Sequence, residues 1–223
     1  MLTFATPAPL STVLDIPAGR IQFVAADRAD TTVEILPADA TKSRDIKAAQ
    51  RIEVAYADGV LRIEAANPTS RILGSSGCVE VTVQLPAGSR IEATMASAEL
   101  RGVGRLGDVT VENANGSIKL DETASARLTL QTGDVKVGRL GGPAQIRTQK
   151  GDLHITEAVT GTVTLHTEHG DISVGAAREA SASLDAGTAF GRIHNALKHT
   201  DGTAAGLNIH ATTTHGDITA RSL

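Results

Sequence analysis

Gly133-Asp134-Val135-Lys136-Val137 is repeated along the chain as Gly151-Asp152-Leu153-His154-Ile155 and as Gly170-Asp171-Ile172-Ser173-Val174. Related copies begin at Gly107, Gly116, Gly191 and Gly216. From Gly116 onward, successive copies begin 17, 18, 19, 21 and 25 residues apart. A repeat with a period near 20 residues is the sequence signature of structural units that stack on one another.

Each copy alternates apolar and polar residues, which indicates a strand with one buried and one solvent-facing side. Stacked copies should therefore form one apolar column and one polar column. The predicted inward column is Ile118, Val135, Leu153, Ile172, Ile193 and Ile218. The predicted outward column is Lys119, Lys136, His154, Ser173, His194 and Thr219.

A second short strand lies between consecutive glycine units, at Arg127–Leu130, Ala144–Arg147 and Thr162–Leu165. A coil of 17–25 residues therefore holds about two short strands, and successive coils should pair in parallel about 4.8 Å apart. We expect positive φ at the turn glycines and hydrogen bonds from donors within the turn to the following aspartates. These features predict an all-β, single-stranded parallel β-solenoid, with the right-handed crossover that parallel strands favour.

The first 89 residues carry the same phrase less regularly, at Gly19–Phe23 and Gly59–Ile63. Strands are predicted at Thr31–Leu36 and Val79–Leu85, and one short helix at Lys42–Gln50. We interpret residues 1–89 as irregular β coils that cap the regular repeats of residues 90–223 and are continuous with them. A separate small β-domain ending near Pro68 to Gly77 is the alternative.

Composition excludes several classes of protein. The 223 residues carry a net charge of −4 and no basic run interleaved with aromatic residues, which disfavours nucleic-acid binding. The single Cys78 precludes an intrachain disulfide. Neither a signal peptide nor a membrane span is visible, so we expect a cytoplasmic protein. Without a nucleophile elbow, phosphate loop or dinucleotide fingerprint, we predict no enzyme, no catalytic residues and no cofactor.

Histidines and aspartates are the candidate metal ligands. All seven histidines lie between His154 and His215. If the coils stack in sequence order, His154 and His194 lie two coils apart with Ser173 between them. In the same order, His169 and His215 are separated by Phe190, and His166 lies on the neighbouring strand. Such gaps are too wide for shared Zn²⁺ coordination, so we predict no metal site and interpret these histidines as polar surface residues.

The aspartates that follow the turn glycines, Asp134, Asp152, Asp171 and Asp217, could in principle bind cations. Calcium-binding solenoids use a denser repeat, and Arg192 interrupts this column. Hydrogen bonding within the turns is the favoured interpretation.

The phrases Leu130–Val137, Thr167–Val174 and Thr213–Ala220 resemble the bacterial putative-adhesin family of β-strand-repeat proteins, a domain of unknown function. The resemblance is good over residues 90–223 and looser before them. It implies a parallel β-solenoid and no defined active-site residues.

We therefore predict a non-catalytic structural or interaction protein, an adhesin-like scaffold. Because the last strand is followed by no visible cap, we expect a homo-oligomer formed through the C-terminal coil, or another protein as partner. Two alternatives are a carbohydrate-binding or carbohydrate-active protein that uses a solenoid face, and a scaffold that polymerises end to end. Clustered carboxylates around Tyr56 or Phe190 would favour the carbohydrate alternative.

Overall fold

The computed structural model describes residues 1–66, 77–198 and 206–223. Contacts divide the chain into two compact units, Met1–Gly116 and Ser117–Leu223. The boundary predicted between residues 89 and 90 falls inside the first unit. The alternative boundary near Pro68 to Gly77 lies outside the described residues, Gly77 excepted.

Unit 1 contains seven strands and one helix among its described residues. The elements are β1 (Leu2–Ala5), β2 (Ser11–Ala26), β3 (Asp30–Pro37), α1 (Ser43–Gln50), β4 (Ile52–Ala57), β5 (Val60–Ala65), β6 (Val79–Pro86) and β7 (Arg90–Asn115). The helix and the strands predicted at 31–36 and 79–85 are confirmed to within two residues at each end.

Strand β2 lies inside unit 1, although it comes early in the sequence. It pairs in parallel with β5 through its first half and with β6 through its second half. On its other edge it pairs in parallel with β7, so that Ile21 lies between Val81 and Leu100. Antiparallel pairings add β4 to β5, β3 to β6 and β1 to β3.

Unit 2 is made of strands that alternate between two ladders. They are β8 (Ile118–Thr132), β9 (Val135–Leu140), β10 (Ala144–Lys150), β11 (Leu153–Ala158), β12 (Gly161–His169), β13 (Ile172–Ala176), β14 (Ala182–Phe190), β15 (Ile193–Ala196), β16 (Leu207–His215) and β17 (Ile218–Ser222). The all-β class predicted from the sequence is therefore confirmed.

Every pairing within unit 2 is parallel among the described strands. The first ladder runs β8–β10–β12–β16–β14. The second runs β8–β9–β11–β13–β17–β15. The two ladders keep the same order of coils, because each coil contributes one strand to each ladder.

The order of the coils differs from the order of the sequence. The last coil, β16 and β17, lies between the coil of β12 and β13 and the coil of β14 and β15. The prediction that coils stack in sequence order is wrong at this point. Coil β14–β15 carries residues that break the repeat, and it lies at the end of both ladders.

The predicted inward column is buried at five of its six positions. Ile118, Val135, Leu153, Ile172 and Ile218 are each 1% exposed. The sixth residue, Ile193, is 45% exposed because β15 is the last strand of its ladder. The inward assignment of Ile193 is therefore corrected to a half-covered position at the ladder end.

The turn glycines pack directly against one another. Gly151 has φ of +144°, and a Cβ at this position would overlap the carbonyl oxygen of Gly133. The same overlap recurs at Gly170, Gly216 and Gly191, each against the glycine of the preceding coil in the ladder. Only glycine allows both the positive φ and this close approach of one coil to the next.

The aspartates that follow these glycines bond between coils and not, as predicted, within their own turns. Asp134 Oδ1 accepts the backbone N–H of Asp152 at 2.9 Å, and Asp152 Oδ1 accepts that of Asp171 at 2.8 Å. The series continues from Asp171 to the N–H of Asp217 at 2.7 Å and from Asp217 to that of Arg192 at 2.8 Å. In-register stacking places each backbone N–H within hydrogen-bond distance of the carboxylate in the neighbouring coil.

A threonine stands three residues before four of the turn glycines, Gly151, Gly170, Gly216 and Gly191. Its hydroxyl donates to the carbonyl of the glycine in the preceding coil, at 3.0–3.5 Å. The four donors are Thr148, Thr167, Thr213 and Thr188. Glycine, aspartate and threonine therefore form one hydrogen-bonded edge along unit 2.

Replacing Gly151 by alanine should lower the free energy of unfolding by more than about 2 kcal/mol, because the new methyl group meets backbone and the φ is strained. Gly187→Ala is the matched control, since its Cβ would meet nothing closer than Thr212 Cγ2 at 4.0 Å. Its effect should stay within about 1 kcal/mol. Denaturant unfolding measures both, and equal losses would contradict the glycine packing.

Val135→Asp should cost at least about 3 kcal/mol, because it buries an unpaired charge in the apolar column. Asp134→Ala, in the next position, removes one hydrogen bond at an exposed turn and should cost about 1 kcal/mol. The comparison is made by urea unfolding monitored by circular dichroism. Equal stability of the two variants would refute the assignment of inward and outward columns.

Candidate functional site

The coil of β14 and β15 is the exposed end of unit 2, and we call it the end coil. Among the described residues, β14 pairs only with β16 and β15 only with β17. No described strand covers the outer edges of β14 and β15, and backbone groups at such an edge are open to pairing. Phe190 is 67% exposed and Ile193 is 45% exposed, so apolar surface accompanies the open edges.

The end coil departs from the repeat at the positions that would continue the ladders. Arg192 stands where the other coils have aspartate, and its guanidinium donates to Asp217 Oδ2 at 3.0 Å. The backbone N–H and side chain of Arg192 hold the pKa of Asp217 below its ordinary value. Asn195 pairs in register with the buried Ala220, so an amide replaces an apolar residue in the inward column. A further coil stacked on this one would have no carboxylate to accept its backbone N–H. It would also meet the polar amide of Asn195 in the inward column.

The C-terminal coil is not the open end that the sequence suggested. Strand β16 is paired on both edges, by β12 and β14, and β17 is paired by β13 and β15. The expectation of an open edge on this coil is therefore wrong, while the homo-oligomer itself stays a prediction.

Three rings stack along the first ladder beside the turns. His169 and His215 are neighbours on β12 and β16, with ring centroids 4.7 Å apart and planes inclined by 19°. Phe190 continues the stack on β14, with its centroid 4.8 Å from that of His215. The prediction that Phe190 separates the two histidines is wrong, since β16 is inserted before β14.

Two further exposed histidines lie on β12 and β16. His166 Nδ1 is 2.8 Å from the hydroxyl of Thr212, and His210 Nδ1 is 3.3 Å from a carboxylate oxygen of Asp185. His199 lies outside the described residues. Four of the seven histidines are therefore exposed on the neighbouring strands β12 and β16, which the order of coils brings together.

His154 lies on the second ladder, on β11. Its register neighbours are Lys136 and Ser173, and Nε2 is 3.2 Å from the hydroxyl of Thr156. Partial burial lowers the pKa of His154, and the cations of Lys136 and Arg221 lower it further. His194 lies beyond Thr219 on the end coil, and His154 and His194 are therefore farther apart than two coils.

The four turn aspartates occupy consecutive coils, because Asp217 lies next to Asp171. One oxygen of each accepts a backbone N–H, as described above, which accounts for the column. Across the described ranges, no group of three or more His, Cys, Asp and Glu side chains is placed to hold a metal ion. The expectation that none of these residues is a metal ligand stays a prediction.

The rings named in the carbohydrate alternative belong to different units. Tyr56 packs against Phe4 with centroids 5.5 Å apart, and Phe190 belongs to the ring stack of unit 2.

Cys78 is an exposed free thiol whose backbone N–H donates to the buried carboxylate of Asp45. A cleft of about 590 Å³ in unit 2 is partly occupied by the 2.8 Å ion pair of Arg139 and Glu157.

Sequence reasoning missed the threonine column and the ring stack. The threonines could have been found, because each stands three residues before a turn glycine. The ring stack could not be found from sequence spacing, because it depends on the order in which the coils stack.

No helix of the described residues is long and apolar enough to cross a membrane.

These features define an all-β protein built from strand repeats. The family model described as Toastrack DUF4097 matches residues 12–221. The chain therefore belongs to the Toastrack family, in agreement with the resemblance drawn from its repeated phrases. No curated protein matches the chain.

Several crystal structures are similar over nearly the whole chain at low identity. A putative adhesin from Bacteroides fragilis is 12% identical with a TM-score of 0.49, over 98% of this chain and 95% of that one. A putative cell adhesion protein from Clostridium sporogenes is 10% identical with a TM-score of 0.43, over 100% and 98%. A putative lipid binding protein from Parabacteroides distasonis is 11% identical with a TM-score of 0.46, over 98% and 95%.

The lowered pKa of His154 predicts a pH dependence of stability. The unfolded chain takes up the proton near pH 6.5 and the folded chain only at lower pH, so stability falls as the pH drops below about 6.5. His154→Gln should flatten the plot of unfolding free energy against pH between about 5 and 7. Ser173→Ala, one coil away, is the control without a titrating group and should keep the slope of the parent. An unchanged slope in His154→Gln would contradict the burial of this ring.

Proposed function

We propose that this protein is a non-catalytic interaction scaffold, with the two ladders of unit 2 forming the sheets of a right-handed parallel β-solenoid. Support for the solenoid comes from the in-register parallel pairing and from the glycine, aspartate and threonine columns that repeat once per coil. Solenoids present long regular surfaces, and their stability is approximately a sum over neighbouring coils. Such an architecture suits binding and assembly.

The end coil carries the proposal. It combines open strand edges with exposed apolar side chains, Phe190 and Ile193. Exposed edges of this kind pair with other chains unless they are protected. We propose a second copy of the same chain as the occupant, joined edge to edge through the end coil.

The charges of the end coil favour a closed pair of copies over a growing filament. Asp185 and Arg192 expose 83% and 89% of their side chains, so the surface offers both signs to a copy related by a two-fold axis. Arg192 and Asn195 also lack the groups that a regular repeat coil needs for continued stacking. When two end coils face each other, neither end coil keeps an open edge for a third copy.

The test is size-exclusion chromatography with light scattering on the full chain. The parent should be a dimer, and Phe190→Ser with Ile193→Thr should be a monomer with unchanged circular dichroism. Leu36→Ser removes a similarly exposed apolar residue from β3 and should remain dimeric. A monomeric parent, or a double variant that stays dimeric, would overturn the proposal.

Removal of residues 206–223 would not test this surface. It deletes β16 and β17 from the interior of both ladders and leaves the end coil without its partner strands. Point substitutions on the end coil avoid this loss of folding.

A further inference from the structure

We propose that His169 and His215 together bind a divalent transition-metal ion. The two residues are separated by 46 positions in sequence, yet they are direct neighbours in the parallel register of β12 and β16. Both side chains are exposed, and their rings lie face to face with centroids 4.7 Å apart. The pair lies on β12 and β16 and not on the end coil, although Phe190 of the end coil stacks on His215.

Imidazole nitrogen is a ligand of Zn²⁺, Cu²⁺ and Ni²⁺, with metal–nitrogen bonds near 2.0–2.1 Å. Two ligands of one ion in adjacent coordination positions lie about 3 Å apart, which is closer than the stacked rings. Ring nitrogens direct their lone pairs in the plane of the ring. The two exposed rings must therefore tilt towards each other to chelate, and rotation about χ2 on a solvent-facing surface allows it.

The neighbours of the pair determine the strength of the site. Phe190 packs on the other face of His215 and favours the stacked arrangement. Lys150 is the register neighbour of His169 on the opposite side, and its charge opposes a bound cation. Glu168 precedes His169 and has the favourable sign. With two protein ligands and water in the remaining positions, we expect affinity in the Irving–Williams order, with Cu²⁺ the tightest.

A bound ion would join the last coil to the coil beside it. Because the pair forms only when β16 lies next to β12, the unfolded chain does not present the same chelate. Binding to the folded state alone stabilises it by mass action. Metal-dependent stabilisation is therefore a readout that requires no knowledge of a physiological partner.

The experiment is thermal unfolding of the full chain without a polyhistidine tag, with and without CuCl₂, NiCl₂ or ZnCl₂. At Cu²⁺ about ten-fold above its dissociation constant, we expect the midpoint to rise by about 3 °C. His169→Gln and His215→Gln should each abolish the rise. His166→Gln, which removes another exposed histidine from β12, should retain it.

Two further measurements make the assignment specific. The paramagnetic resonance spectrum of bound Cu²⁺ should show two nitrogen ligands in the parent and at most one in either single variant. Lys150→Gln should tighten Cu²⁺ binding several-fold, because it removes the opposing charge. A midpoint rise that persists in His169→Gln or His215→Gln, or no rise in the parent at millimolar Cu²⁺, would overturn the proposal.

Discussion

The close approach of one turn glycine to the next is the constraint on which unit 2 depends. A side chain at Gly151 or Gly170 would occupy the carbonyl of the neighbouring coil. Once the backbones meet at this distance, each aspartate carboxylate reaches the N–H of the adjacent coil and each threonine hydroxyl reaches a glycine carbonyl. The apolar columns behind the turn then fall into register. The hydrogen-bonded edge and the buried core are therefore two results of the same spacing.

The coils share one repeat pattern, so any coil that fits the pattern on both sides can lie inside the ladders. How well a coil fits the pattern, and not its order in the sequence, therefore decides its position. The coil that begins at Gly216 has Asp217, whose carboxylate accepts the backbone N–H of the neighbouring coil, and apolar residues at both inward positions. It therefore fits inside the ladders. The coil that begins at Gly191 has Arg192 and Asn195 at those places and fits only at an end. This difference accounts for the insertion of β16 and β17 and for the exposed surface on β14 and β15.

Much of the local structure could be predicted from the sequence. Two-residue periodicity located most strands of unit 2, though not β14 and β16, and five of the six residues of its inward column are buried as expected. The helix α1 was found within one residue at its start. The order of coils was missed, because neighbouring elements in sequence are usually neighbours in space and the prediction followed that rule.

The information needed to correct the order was nevertheless present. Arg192 interrupts the aspartate column and Asn195 stands at an apolar position of the repeat, and both mark their coil as unsuited to the interior. In unit 1, by contrast, nothing in the periodicity of β2 distinguishes a strand paired on both edges from one at an edge. The candidate site depends on this long-range order, since the exposed end coil and the pairing of His169 with His215 both follow from it.

Oxidative cross-linking of engineered cysteine pairs tests the inserted coil most directly, in a Cys78→Ser background. The pair His166→Cys with Thr212→Cys joins register neighbours on β12 and β16, whose Cα atoms should be about 5 Å apart. The pair His166→Cys with Gly187→Cys spans two coils, about 10 Å, and is too far apart for a disulfide. We expect rapid cross-linking of the first pair and none of the second, as read by gel mobility and mass spectrometry. Cross-linking of the second pair without the first would show that the coils follow the sequence and would contradict the insertion.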